Sequence, residues 1–184
     1  MNICIYGASS DQIDPIYIEE GQRLGRLLAQ RGHTMVFGAG ATGLMGAAAR
    51  GITEEGGMMI GIAPSFFDQP GVLQQNCTEL ILTETMRQRK ELMEQKSDGF
   101  IMTPGGIGTL EEFFEILTLK QLGRHNKPIG VLNTAGYFDQ LENLLVSTAE
   151  KGFMDRSCLR LCYITSDSKK LLDYMEGKAV DYEI

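Results

Sequence analysis

The chain has 184 residues, enough for one domain with a sizeable core, and its 43% hydrophobic and 22% charged content is that of a soluble globular protein. A formal net charge of −7 argues against a general nucleic-acid surface, which is normally basic, but leaves room for an anionic metabolite held locally by backbone dipoles. Four scattered cysteines with no C-x-x-C pair and two histidines speak against zinc or a disulfide framework, and no leader-like N-terminus or membrane-length apolar run is present, so a cytoplasmic protein without a membrane partner is expected.

Strand and helix patterns alternate along the chain. Ile3 to Tyr6 is a short apolar run ending at Gly7. Pro15 to Arg31 repeats apolar residues at helical spacing (Ile16, Leu24, Leu27, Leu28) and stops at Gly32. Thr34 to Phe37 reads as a strand, Gly43 to Glu55 as an Ala-rich helix, and Met58 to Ala63 as a strand ended by Pro64. Residues 65–76 read as a loop. Glu79 to Leu82 is a strand, Glu84 to Gln95 a charged helix, Phe100 to Met102 a strand and Ile107 to Leu122 a helix. Ile129 to Leu132, Tyr137 to Lys151, Leu161 to Ile164 and Ser168 to Met175 complete the series as strand, helix, strand and helix. Short uninterrupted apolar strands separated by helices imply a parallel sheet covered on both faces. The expected fold is α/β: a doubly wound, Rossmann-like three-layer sandwich, read as a single domain over residues 1–184.

Ligands in such folds sit at the carboxyl ends of the strands, and three loops at that edge are rich in small residues: Gly7 to Ser10, Gly38 to Gly46 and Thr103 to Thr109. In the third loop an apolar strand feeds a Pro-Gly-Gly turn and a helix opens at once, carrying Glu111 and Glu112 in its first turns. Glycines there let backbone N–H groups converge, and the helix N-terminus adds partial positive charge, which makes an anion site, most often one for phosphate. A carboxylate beside a phosphate cradle would repel the ligand, so its presence points to chemistry. The second loop, Gly38 to Gly43, matches G-x-G-x-x-G, but the region about twenty positions on, Met58 to Ala63, offers neither an acid nor an arginine for a ribose. A nicotinamide dinucleotide is therefore a poor reading, and the glycines also suit tight strand–helix packing. In the helix before the third loop, Met86, Arg89, Lys90 and Met93 share a stripe; Arg87–Glu91 and Lys90–Glu94 are also ordinary i,i+4 surface pairs.

Met86-Arg87-Gln88-Arg89-Lys90 followed by Pro104-Gly105-Gly106-Ile107-Gly108-Thr109-Leu110-Glu111-Glu112 resembles the M-x-x-R-K and P-G-G-x-G-T-x-x-E pair of the Lonely Guy family. Gly43-Leu44-Met45-Gly46, Gln121-Leu122-Gly123, Lys127-Pro128-Ile129-Gly130 and Glu150-Lys151-Gly152-Phe153 extend the resemblance over most of the chain. It implies a Rossmann-like homodimer, sometimes a higher oligomer, and cleavage of the N-glycosidic bond of a cytokinin or AMP-like nucleoside 5′-monophosphate to free base and ribose 5-phosphate, a chemistry that needs no metal or organic cofactor. Carried over by position, Arg89 and Glu112 match the catalytic pair. Lys90, Gly105, Gly106, Ile107, Gly108, Thr109, Leu110, Glu111 and Thr118 fall in the substrate-binding set, to which the neighbouring loops add Ser9, Gly40 and Met86. Three departures stand out: Ala39 replaces a glycine, Gly7 to Ser10 lacks its usual second glycine, and residues 65–76 do not align with an acidic stretch of the family.

The chemistry agrees with the residues. Glycosidic C–N cleavage passes through an oxocarbenium-like state whose charge a nearby carboxylate stabilises while it orients or deprotonates water. Glu112 takes that role, with Glu111 either gripping ribose hydroxyls or capping the helix, and Arg89 holding phosphate or ribose while steering Glu112. The 5′-phosphate would lie on the N–H groups of Gly106 to Thr109. Two other classes remain: a nucleotide or cofactor carrier without turnover, and a decarboxylase, which would require a Schiff-base lysine that the sequence does not display. The helix Ile107 to Leu122 is apolar at Leu110, Phe113, Phe114, Leu117 and Leu119, either to meet a partner subunit or to lie under a neighbouring helix. His33 and His125 receive no role.

Overall fold

A computed structural model describes residues 1–180. Its elements are β1 (Asn2–Tyr6), α1 (Pro15–Gln30), β2 (Thr34–Phe37), α2 (Gly43–Glu54), β3 (Met58–Pro64), β4 (Glu79–Thr83), α3 (Met86–Lys96), β5 (Gly99–Met102), α4 (Ile107–Gln121), β6 (Ile129–Leu132), α5 (Asp139–Glu150), β7 (Tyr163–Thr165) and α6 (Ser168–Met175). All seven strands pair in parallel in the order β4-β3-β2-β1-β5-β6-β7. The α/β doubly wound sandwich expected from the sequence is what forms. From β1 the chain winds outward to β4, then crosses back through α3 to lay β5 on the free side of β1. The loops leaving β1 and β5 therefore diverge, and a crevice opens between them at the carboxyl edge of the sheet.

Period-two alternation in the strands divides the interior into two cores. Ile3 and Ile5 of β1 join Leu24 and Leu28 of α1, Ala48 and Ile52 of α2, and Leu171 and Met175 of α6 on one face. Cys4 and Tyr6 turn the other way, to Met93 of α3, Phe113, Ile116 and Leu117 of α4, and Phe138 ahead of α5. The face bearing α3 and α4 is the one that positions the crevice. On α4 the apolar excess splits: Phe113 and Leu117 are buried, while Ile107, Phe114 and Leu122 remain exposed. No helix among the described residues is long and apolar enough to cross a membrane.

Three segments differ in detail from the sequence pattern. The loop after β3 opens with a 3₁₀ turn, Ser65–Phe67, and then folds back antiparallel against residues 39–41: Gly40 bridges Leu73, Ala41 N–H donates to Val72 O at 3.0 Å, and Gln74 N–H donates to Ala39 O at 2.8 Å. After β6 two left-handed residues, Ala135 (φ 52°) and Gly136 (φ 71°), delay the helix expected from Tyr137 until Asp139. A 3₁₀ segment, Arg156–Arg160, capped by the Asp155 carboxylate, shifts the last strand two residues later than its apolar run suggests.

Phe113 is fully buried in the core under α4, one residue from Glu112. Phe113→Ala should cost about 3–5 kcal/mol of unfolding free energy, the usual toll of a large cavity, which urea denaturation at 25 °C will measure.

Candidate active site

The three glycine-rich loops are bound to one another by backbone and side-chain hydrogen bonds. Ala8 N–H donates to Pro104 O at 3.0 Å, Thr103 N–H and Oγ1 both donate to Tyr6 O at 2.8 Å, and Thr42 Oγ1 donates to Ser9 O at 2.6 Å. Between them lies a cavity of about 560 Å³, the size of a small-molecule site. Of the residues singled out in the sequence, Ser9, Gly40, Met86, Arg89, Gly106, Gly108, Thr109 and Glu112 line it. The loop 65–76 supplies a further wall through Phe67, Gly71, Val72 and Leu73, which no sequence pattern indicated beyond the apolar pair Phe66-Phe67 in a polar stretch.

The helices that follow the strands start at this edge, and the heads of α2 and α4 differ in what they offer. At the head of α2 the Asp11 carboxylate accepts from Gly43 N–H at 2.7 Å, so that positive end already holds an anion. At the head of α4 the N-cap is Gly106, with no side chain to fold back. Gly106, Ile107, Gly108 and Thr109 carry the N–H groups for which an α-helix supplies no carbonyl. Side-chain space at Gly106 and Gly108 is open, so a ligand can approach the backbone closely. The geometry is that of an anion cradle.

Across the cavity stands a buried ion pair. The Thr85 hydroxyl accepts from Gln88 N–H at 3.2 Å, and the Gln88 carboxamide accepts from Thr85 N–H at 3.1 Å, a reciprocal cap that fixes the start of α3. From there Arg89 turns inward. Its Nη1 donates to Glu112 Oε1 at 2.9 Å and its Nε to Ile62 O at 3.3 Å. The two side chains are only 10% and 11% exposed. Gly38 makes room for the guanidinium: a Cβ there would fall 2.1 Å from Arg89 Nη2. Burial pushes the Glu112 carboxyl above the ordinary carboxylate range, and the Arg89 charge and hydrogen bond pull against that rise. Cys4 and Tyr6, near enough to feel the Glu112 charge, are both pushed up by burial, the Cys4 thiol to about 12, so they stay neutral.

The remaining residues of the set lie off the cavity. Lys90 does not pair with Glu94; its Nζ contacts Glu111 at 2.5 Å and Glu115 at 2.9 Å, forming a second α3–α4 tie on the outer side. Gly105 sits behind the cradle, where a Cβ would fall 2.2 Å from Thr109 Oγ1. Ile107 is 87% exposed, and Leu110 packs on the second core. Thr118 is exposed nine residues beyond Thr109, roughly 13 Å along the helix axis. His33 pairs with Glu176 at 2.9 Å and His125 bonds Ile116 O at 3.0 Å; neither lines the cavity.

The site can therefore hold an anion on backbone dipoles while presenting one buried carboxylate, backed by a fixed cation, to whatever the anion carries. Comparison with known proteins gives this arrangement a lineage. A family model described as "Possible lysine decarboxylase" matches residues 45–175. "Probable cytokinin riboside 5′-monophosphate phosphoribohydrolase LOGL3" of Oryza sativa subsp. japonica is 35% identical over 173 residues, covering 94% of this chain and 82% of the relative. Cytokinin riboside 5′-monophosphate phosphoribohydrolase LOG2 of Arabidopsis thaliana is 33% identical over 174 residues, covering 95% and 82%. Among solved structures, the molybdenum cofactor binding protein of Rippkaea orientalis superimposes with a TM-score of 0.73 at 21% identity, covering 96% of this chain and 95% of that one. The Moco carrier protein of Chlamydomonas reinhardtii does so with a TM-score of 0.72 at 21% identity, covering 96% and 95%. The structural likenesses speak for the fold; the sequence relatives and the family model show that the chain belongs to the Lonely Guy family.

Proposed function

We propose that the chain hydrolyses the N-glycosidic bond of an AMP-like or cytokinin nucleoside 5′-monophosphate, releasing the free base and ribose 5-phosphate. The observation that carries this reading is the buried Arg89–Glu112 pair facing the open head of α4 within one cavity. The phosphate lies on the N–H groups of Gly106 to Thr109, which sets the ribose between the cradle and Glu112. As the C1′–N bond breaks, its electron pair leaves with the base and positive charge grows on the ribose. Ionised Glu112 stabilises that charge and takes a proton from the water that attacks C1′. Arg89 keeps the carboxylate ionised despite its burial and fixes its direction, and the leaving base takes up a proton. A homodimer belongs to this reading. Ile107, Phe114, Thr118 and Leu122 share the exposed stripe of α4, where a second copy would cover them.

Decarboxylation through pyridoxal phosphate does not fit, because that chemistry needs a lysine to form the Schiff base and no lysine lines the cavity among the described residues. Nor does passive carriage explain the site: an anion carrier gains nothing from a buried carboxylate beside its ligand, whereas an oxocarbenium-like transition state does.

Incubation of the purified chain with AMP, followed by chromatography for adenine and ribose 5-phosphate, tests the proposal; bound AMP with no product would assign it to the carriers instead. Glu112→Gln should lower kcat on the order of a hundredfold or more, and adenine release at the wild-type rate would remove Glu112 from the chemistry.

A second expectation concerns pH. The raised carboxyl of Glu112 places the acid limb of kcat/KM above the ordinary carboxylate range. Arg89 favours the ionised form, so Arg89→Met leaves burial unopposed and should move that limb to higher pH, with residual activity recovered as pH rises. A limb that stays in place would show that Glu112 does not govern it.

A further inference from the structure

Tyr137 lies outside the three glycine-rich loops, yet its hydroxyl donates to the Gly105 carbonyl at 2.8 Å. That carbonyl and the Gly106 N–H belong to one planar peptide unit and point in opposite directions. Whatever fixes the carbonyl therefore aims the N–H, and this N–H is the first of the four at the head of α4. Two successive glycines are otherwise the least restrained place in a backbone. Here the unit is wedged by Thr109 and Ala8, since a Cβ on Gly105 would come 2.2 Å from Thr109 Oγ1 and 3.0 Å from Ala8 N. The Tyr137 bond ties it from a separate element.

The segment behind Tyr137 is shaped for that reach. Ala135 holds φ 52°, a left-handed conformation that alanine adopts only at a cost, and Gly136 follows at φ 71°. Asn133 locks the turn: its Oδ1 accepts from Phe138 N–H at 2.7 Å and its Nδ2 donates to Asp139 Oδ1 at 2.8 Å. Edge contacts with Tyr17, at 5.7 Å between centroids, and Phe138, at 4.9 Å, hold the ring. Strain, a side-chain lock and two aromatic contacts converge on placing one hydroxyl against one carbonyl.

We propose that Tyr137 is a positioning residue for anion binding: it holds and polarises the Gly105–Gly106 peptide so that the Gly106 N–H meets the substrate's 5′-phosphate. Donation to the carbonyl also strengthens the N–H as a donor, because linked hydrogen bonds polarise one another. The inference rests on the hydrolase reading for its substrate, but its phosphate contact can be measured separately.

Tyr137→Phe keeps the ring and deletes the donor. Its KM for AMP and its inhibition constant for inorganic phosphate should both rise by roughly three- to tenfold, the effect of one net hydrogen bond, with kcat and the unliganded melting temperature unchanged. Wild-type values of both constants overturn the proposal, and so does a loss confined to kcat or accompanied by a lowered melting temperature. A wild-type chain that binds inorganic phosphate but releases no adenine defeats the hydrolase reading while the phosphate constant, read by direct binding, still decides Tyr137. A wild-type chain that binds no phosphate overturns both.

Discussion

The site depends on one ion pair. A carboxylate taken out of water without a partner is costly enough that it protonates instead, and a protonated Glu112 would be useless to a developing cation. The proposed reaction needs the acid both buried and charged, and Arg89 at 2.9 Å favours its ionised form against the burial. The pair is also mechanical: it joins α3, which carries the chain back across the sheet, to α4, which heads the new half beginning at β5. The crossover that creates the crevice and the charge that works in it are thus fixed by the same contact. Gly38, at the end of β2, completes it by leaving space for the guanidinium that a methyl group would fill.

Around that pair the electrostatics are divided between side chains and backbone. A chain of net charge −7 holds an anion site because helix dipoles act over the first turn only, whatever the surface carries. Of these two helix heads, α2 is satisfied by Asp11 from within the chain, and α4 has no side-chain cap. In the proposed reading, an internal carboxylate at one head and a glycine cap at the other would direct the phosphate to a single place without a lysine or arginine in the cradle. Lys90 pairs with Glu111 and Glu115, which keeps its charge on the outer side of the α3–α4 seam.

Those parts of the molecule that local pattern controls were legible in the sequence. Apolar strands such as Ile3 to Tyr6, and the run from Pro104 through Glu112, state their structure in their own residues: a strand, a Pro-Gly-Gly turn, and a helix start whose cap has no side chain. The stripe Met86, Arg89, Lys90 and Met93 is readable on α3, but of its members the helix buries only Arg89 and Met93. The rest depends on contacts between segments. Residues 65–76 have no periodicity because the backbone of residues 39–41, rather than a side-chain stripe, holds them down. Lys90 has Glu94 at i+4 within its own helix and two acids across the seam, and nothing in the spacing chooses between them. Tyr137 could not be found at all: its role follows from a left-handed alanine that no propensity scale favours.

A molybdenum cofactor binding protein and a Moco carrier protein share this fold at 21% identity, so the fold by itself does not separate holding a ligand from cleaving it. The distinction must lie in groups that improve the transition state more than the ground state. Backbone N–H groups on a phosphate bind both equally, because the phosphate does not change during glycosidic cleavage. In the proposed hydrolysis Glu112 would not: it would repel the bound phosphate through space and attract the cation forming on the ribose, so its contribution would change sign along the reaction. A group that weakens binding and strengthens the transition state would mark an active site built on a binding fold, and in this chain Glu112 is buried and held by an arginine that, among the described residues, pairs with no other acid.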